Sequence, residues 1–178
     1  MLIDQYKGSR LYHHTKDSSF DSFRKDRCYL QEIGIKPRGI WFAFQAEDKT
    51  LDTWEEFCNH YRLKLMKASN KIQIAIQVPF FHQILYIRNG YDVFEVESKY
   101  KKEVFEPNQV IHLDWPKITK DYIGVVVYED KPRCLSLFGF ELHKTEIGNR
   151  WLDSWSTYSG CIWRPEYIKI LSRGDDNG

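Results

Sequence analysis

The 178-residue sequence predicts a single α+β domain. Strand-like runs recur along the whole chain, while helical patterns cluster early and in the middle without regular β–α–β alternation. No Gly-x-Gly-x-x-Gly is present, which with the missing alternation argues against a doubly wound dinucleotide-binding sheet. No Pro/Gly/Ser-rich linker and no repeat divides the chain. Residues 1–171 therefore read as one domain and the polar segment 172–178 as a frayed, disordered tail. A chain of this length buries roughly 68–70% of its unfolded surface, enough for a core without metal or disulfide.

The elements follow in order. Residues 11–15 are a strand candidate, running into a polar loop at 16–19. Phe23, Tyr29, Leu30 and Ile33 recur at near-helical spacing, so a helix is expected over 21–33. Lys36-Pro37-Arg38-Gly39 is a turn signal, and residues 39–44 then read as a buried strand. The clearest helical pattern is 53–66. There Thr53 and Glu56 have capping-box spacing, and Trp54, Phe57, Cys58, Tyr61 and Leu65 fall on one face.

Strict alternation of Ile72, Ile74, Ile76 and Val78 predicts a half-buried strand at 71–78, stopped by Pro79. A short apolar run follows at 84–87. Asp92 and Glu95 have the spacing of a second capping box, for a helix over 92–104 whose Lys99, Lys101 and Lys102 suit the C-terminal end of the dipole. Asp114-Trp115-Pro116-Lys117 opens a short helix with proline in its first turn. Strands are expected at 123–128, 135–142, 161–163 and 167–171, with Trp151, Trp155 and Trp163 crowding the approach to the last two.

Composition narrows the function classes. With 26 basic and 25 acidic residues the net charge is +1, which argues against bulk non-specific nucleic-acid binding. No apolar run approaches the roughly 20 residues of a membrane span. The opening Met1-Leu2-Ile3-Asp4-Gln5-Tyr6-Lys7 lacks a signal core, so a cytoplasmic protein without membrane contact is expected. Cys28, Cys58, Cys134 and Cys161 are widely spaced with no Cys-x-x-Cys, and each reads as a small buried hydrophobe. Aromatics make up 16% of the chain, enough for a thick core, a stacking platform or a partner surface.

Three short segments carry the candidate chemistry. The first, Arg10-Leu11-Tyr12-His13-His14-Thr15, holds a histidine able to donate or accept through either ring nitrogen. The second, Gly39-Ile40-Trp41-Phe42-Ala43, holds a flat ring that can stack on a heterocycle. The third, Trp163-Arg164-Pro165-Glu166-Tyr167-Ile168-Lys169-Ile170, places a carboxylate at the start of a terminal strand, where it can accept a hydroxyl proton or stabilise positive charge. Taken singly, each has a plainer reading: a satisfied histidine, a core strand, a surface carboxylate.

In this order the three resemble the ADP-ribosyltransferase superfamily, with its Leu-Tyr-His-Gly-Thr, Gly-Ile-Tyr-Phe-Ala and late Glu-Tyr-Ile-Val strands. The resemblance implies a split, mostly antiparallel β-sheet core with flanking helices, and NAD as substrate. It assigns His13 and Glu166 as catalytic residues, and His13, Trp41, Thr15, Arg10 and Gly39 as cofactor-binding residues, with no metal. The sequence departs from the pattern at His14, where glycine is usual, at Trp41, where tyrosine is usual, and at Arg164, where a second Glu or Gln would mark a protein-arginine target.

The chemistry implied is cleavage of the nicotinamide–ribose bond through an oxocarbenium-like state. His13 would hydrogen-bond an adenosine-side ribose hydroxyl, Trp41 would stack on nicotinamide, and Glu166 would hold the nicotinamide-ribose 2′-hydroxyl and stabilise the cation. Lys36, Arg10 and Arg38 lie beside the first two motifs, where one could contact the pyrophosphate. ADP-ribose would pass to a protein or nucleic-acid acceptor that the sequence does not identify.

Three alternatives stand beside this. An NAD-dependent RNA 2′-phosphotransferase is one. The second is a non-catalytic, aromatic-rich interaction or inhibitor module anchored by Asp153, Trp155 and Trp163, which requires those aromatics to be exposed. A metal hydrolase using His13, His14, Asp17 and Asp114 is the third, and is disfavoured because adjacent strand residues point to opposite faces.

Overall fold

The structure, a computed structural model, describes residues 10–17, 20, 22–61, 70–88, 90–103, 111–127, 136–137, 140–141, 151–155 and 157–173. In chain order they form β1 (Arg10–Thr15), β2 (Ile33–Gly34), β3 (Ile40–Gln45), α1 (Thr53–His60), β4 (Asn70–Ile76) and β5 (Ile84–Ile87). Next come α2 (Gly90–Tyr100), β6 (Lys101–Glu103), β7 (Ile111–Asp114), α3 (Trp115–Asp121) and β8 (Gly124–Val127). The chain ends with β9 (Ser136–Leu137), β10 (Phe140–Glu141), β11 (Ser159–Ile162) and β12 (Ile168–Arg173). This is an α+β fold. Its main sheet has seven strands in the order β12-β4-β1-β3-β11-β8-β5, antiparallel except for the β5–β8 pair. Two small antiparallel sheets, β2-β7-β6 and β9-β10, stand apart from it.

The two-residue period of the strands divides the core into two layers. Leu11, Phe42, Phe44, Ile72, Ile74, Ile76, Val126 and Ile162 pack on one face. Leu85, Ile87, Val125, Val127 and Cys161 project from the other, where they meet α2, α3 and the indoles of Trp115, Trp151, Trp155 and Trp163. The sheet is strongly coiled. In the sheet order, three strands separate β11 from β12, yet only residues 163–167 join the two. Five residues that include a 3₁₀ turn cannot span four strand spacings of about 4.8 Å on a flat sheet and also the axial offset. Coiling brings the edge strands together, and Ile84 of β5 and Ile168 of β12 enter the same apolar layer. Backbone bonds extend the β4–β12, β5–β8 and β8–β11 pairs beyond their ladders: Gln77 N donates to Tyr167 O at 2.8 Å, Ile123 N to Gln83 O at 2.9 Å and Trp163 N to Ile123 O at 3.1 Å.

Several expectations need correction. No helix forms over 22–32; that stretch is irregular. Its apolar residues do not share a face, because Phe23 and Tyr29 reach the core while Leu30 and Ile33 are exposed. Gln31 instead brackets a neighbouring peptide, donating to Arg38 O at 2.6 Å and accepting from Arg38 N at 2.9 Å. The cap of α1 is Asp52, not Thr53. It accepts from Trp54 N and Glu55 N, and Glu55 completes the box. Thr53 lies inside the helix with its hydroxyl committed to Tyr158 O at 2.6 Å. Residues 62–66 of the expected helix lie outside the described residues.

α2 starts two residues before Asp92, which accepts from Arg88 N at 2.8 Å, and it stops at Tyr100. Lys101 and Lys102 belong to β6, because pairing with β7 satisfies their backbone groups. Residue 104 is not described. The single strand expected at 135–142 is instead the short β9–β10 pair, and residues 135, 138–139 and 142 lie outside the described set. β12 continues through Arg173, two residues into the expected tail; 174–178 are not described. Cys58 and Cys161 are buried as expected, whereas Cys28 is exposed; Cys134 is outside the described residues. Among the described residues, no helix is long and apolar enough to cross a membrane.

Gly39 precedes β3 where β11 comes closest. A Cβ there would lie 2.6 Å from both Cys161 Sγ and Ile162 O. Gly39→Ala is therefore expected to push β3 from β11 and cost about 1–3 kcal/mol, the range for overpacking. A lower urea midpoint with an unchanged slope checks this; an unchanged midpoint would show that the strands relax around the methyl group.

Candidate functional site

β1 and β3 are neighbours in antiparallel register, with Tyr12 opposite Ala43. Alternation sends Leu11 and His13 to one face of the sheet and Tyr12 and His14 to the other. On β3 it sends Trp41 and Ala43 to the face that carries Tyr12 and His14. These four, with Trp54 of α1, Trp155, and Ser159 of β11, line a cavity of about 380 Å³. Its walls are mostly aromatic. The Trp41 and Trp155 rings meet at 4.6 Å between centroids, tilted by 51°. Lys36 Nζ sits 5.2 Å from the Trp41 ring centre and Lys71 Nζ 4.2 Å from that of Tyr12, both within cation–π range.

One corner of the cavity is polar. His14 Nε2 donates to Asp52 Oδ2 at 2.7 Å. The Asp52 carboxylate is fully buried, caps α1 through Trp54 N and Glu55 N, and lies 3.2 Å from Lys71 Nζ. Lys71 also binds Glu55 at 2.5 Å and Gln45 Oε1 at 3.2 Å. Burial alone pushes the Asp52 carboxyl up, but the hydrogen bond and charge of His14, the Glu55 N–H and the Lys71 ammonium together hold it below the usual carboxylate range. Burial likewise works against the Lys71 charge, and Glu55 and Asp52 outweigh it, so its ammonium is held above the ordinary lysine value.

The structure brings together only part of the expected set. Trp41 is half-buried on the cavity wall, as stacking requires. His13 faces away from it, and its ring packs against Phe20 and Phe23 with centroids at 5.8 and 5.2 Å. Its Nδ1 donates to the Trp41 carbonyl at 2.8 Å, bonding the strand rather than the cavity. Burial pushes the His13 pKa down, more than the Trp41 carbonyl raises it, and neighbouring His14 adds to the depression.

Glu166 sits in the 3₁₀ turn Pro165–Tyr167, two residues before β12. It is exposed, lies 3.6 Å from Arg164 and is not among the cavity-lining residues. Arg10 is exposed at the start of β1, and the Thr15 hydroxyl accepts from Asp17 N at 3.2 Å. Gly39 serves the approach of two strands. Arg38 pairs with Glu32 at 2.6 Å on the surface, whereas Lys36 reaches the cavity.

Trp155 and Trp163, offered as anchors of an interaction surface, are 2% and 4% exposed and belong to the core. The Asp153 side chain is outside the described residues. Sequence reasoning missed Tyr12, Asp52, Trp54 and Ser159 and treated His14 as a departure from a motif and as a ligand in the disfavoured metal reading. Strand period would have put Tyr12 and His14 on one face, and the β1–β3 register makes it the face of Trp41. Asp52 gave no such signal, because Thr53 and Glu56 imitate the capping pattern one residue later.

Comparisons with protein-family models, with curated proteins and with solved structures found no match for this chain.

The depressed His13 pKa means that the unfolded chain binds a proton first as pH falls through about 6.5. Stability is expected to decline on acidification from there, and His13→Gln to flatten that part of the profile in urea melts at pH 7 and pH 5. An unchanged profile would assign the decline elsewhere. The lowered Asp52 pKa adds stability that is present above about pH 4 and lost below it. Asp52→Ala removes the helix cap and leaves Lys71 and His14 without their buried partner, at a cost of about 3 kcal/mol at pH 7. A melt within 0.5 kcal/mol of wild type, a bound set at about the scatter of surface substitutions, would contradict this role.

Proposed function

We propose that this protein binds a planar heterocyclic small molecule in the aromatic cavity, and that NAD is the ligand to which the sequence resemblance points. The observation that carries the reading is the half-buried Trp41 ring facing a hollow walled by Tyr12, Trp54 and Trp155, with His14 on the wall backed by Asp52 and Lys71. A small-molecule site has this character: apolar and aromatic walls, a few convergent polar groups and a volume above about 300 Å³. Nicotinamide would stack on Trp41, and the Lys36 ammonium at the rim suits a phosphate oxygen.

ADP-ribosyl transfer to a protein or nucleic-acid acceptor, on an ADP-ribosyltransferase-like fold, is the reaction this binding would serve. Its oxocarbenium-like state needs a carboxylate near the anomeric carbon. Glu166 is not among the cavity-lining residues, and the carboxylate bonded to a lining side chain is that of Asp52, behind His14. The buried positions of Trp155 and Trp163 take support from the interaction-module reading, whose anchors they would be.

Calorimetry and tryptophan fluorescence with NAD and with nicotinamide test the proposal. Saturable heat and quenching are expected, with affinity falling about tenfold or more in Trp41→Ala, in line with the loss of a stacking partner. His14→Ala is expected to weaken binding more than His13→Ala. Absence of heat and of quenching with both compounds would overturn the proposal. Nicotinamide release from NAD tests the transfer arm, and binding without release would confine the protein to binding.

A further inference from the structure

Among the described residues that line the aromatic cavity there is no aspartate or glutamate, and the lysine on that wall is Lys36. Its Nζ lies over the Trp41 ring, 5.2 Å from the ring centre. Lys71, whose ammonium lies over the Tyr12 ring, is already bonded to Glu55, Asp52 and Gln45. Two hydroxyl residues, Thr157 and Ser159, also line the cavity. Thr157 Oγ1 donates to Tyr158 O at 3.1 Å and Ser159 Oγ to Thr157 O at 2.9 Å. With their single hydrogens so committed, neither can donate to a phosphate oxygen. Of these groups, Lys36 is the one with the charge to hold an anion.

Size limits what can enter. The volume, about 380 Å³, is near the lower end of the roughly 300–1,000 Å³ of small-molecule pockets, which bury about 70–90% of a ligand's surface. One planar base with its sugar and phosphate can be enclosed to that degree. A dinucleotide, with two bases and two sugars, cannot. Charge points the same way. A terminal phosphate loses its second proton near pH ~6, so at neutral pH it carries close to two negative charges. Each phosphate of a pyrophosphate bridge carries one. A lysine ammonium acts as a point charge, so the more concentrated anion gains more from it.

We propose that the cavity recognises a mononucleotide, with its single base against the aromatic walls and its terminal phosphate held by Lys36 as the specificity-determining residue. Such recognition rests on the cavity being a site for planar ligands. It limits the recognised part of a dinucleotide such as NAD to one nucleotide.

Calorimetry on the full chain provides the test, with nicotinamide mononucleotide against nicotinamide riboside, AMP against adenosine, and NAD. In at least one pair the mononucleotide is expected to show about tenfold or greater preference over its nucleoside, the lower bound for a hydrogen bond to a charged group. NAD is expected to bind no more tightly than that mononucleotide. Lys36 is exposed, and Lys36→Met keeps its apolar stem. That substitution should bring the ratio of mononucleotide to nucleoside affinity close to one, and Lys36→Arg should preserve it. The ratio is read within one variant, so a general weakening does not imitate the result. Nucleosides that bind as tightly as their mononucleotides, a ratio that survives Lys36→Met, or NAD binding tighter than both mononucleotides overturns the mononucleotide assignment and leaves a stacking cavity in place. Failure of all five compounds and of nicotinamide overturns the assignment and the cavity's binding role together.

Discussion

The carboxylate of Asp52 ties a helix to two strands. It terminates α1 by accepting from the first-turn N–H groups, holds the imidazole of His14 on β1, and draws in the ammonium of Lys71 on β4. A buried charge is tolerated only when such partners surround it, because taking it out of water costs several kcal/mol. Once they do, α1 is held close to β1 and β3, and Trp54 becomes a wall of the cavity rather than a solvent-facing residue. The placing of His14 and of Trp54 at the cavity thus follows from one satisfied carboxylate.

The coiled sheet supplies the rest of the enclosure. Coiling brings β5 and β12 into a common apolar layer and leaves the opposite face to the helices and the tryptophans. Trp115, Trp151 and Trp163 use their N–H groups to fasten β2, α2 and the segment before β8. Each indole has one apolar body to bury and one donor to satisfy, so each fixes a distance and a direction together. Trp155 buries its ring as fully while its donor stays unmet among the described residues.

The order of three motifs suggested a shared site, but sheet geometry distributes them. His13 and His14 are adjacent in sequence and opposite in direction, so one braces β3 through the Trp41 carbonyl and the other reaches the cavity. Glu166 is carried onto the crossover that closes the coiled sheet, where its carboxylate meets Arg164 and solvent. Trp41 alone of the expected set stands where stacking requires it.

Much of the fold was legible from pattern. The α+β class, the strand around Ile72 to Ile76, the helix opened by Asp114 and Pro116, and the apolar strands at 84–87 and 124–127 all follow from local period and turn chemistry, which act over a few residues and leave their mark in composition. Which residues of one strand share a face is also local, so Tyr12 and His14 could have been grouped by parity, but Trp41 joins them only through the β1–β3 register. What the tertiary structure decided is what lies opposite each face. Asp52 meets His14 across 38 positions and Trp155 meets Trp41 across more than a hundred, and no short-range rule encodes such meetings. They depend on how the sheet coils and where α1 docks, and those follow from the packing of the whole chain.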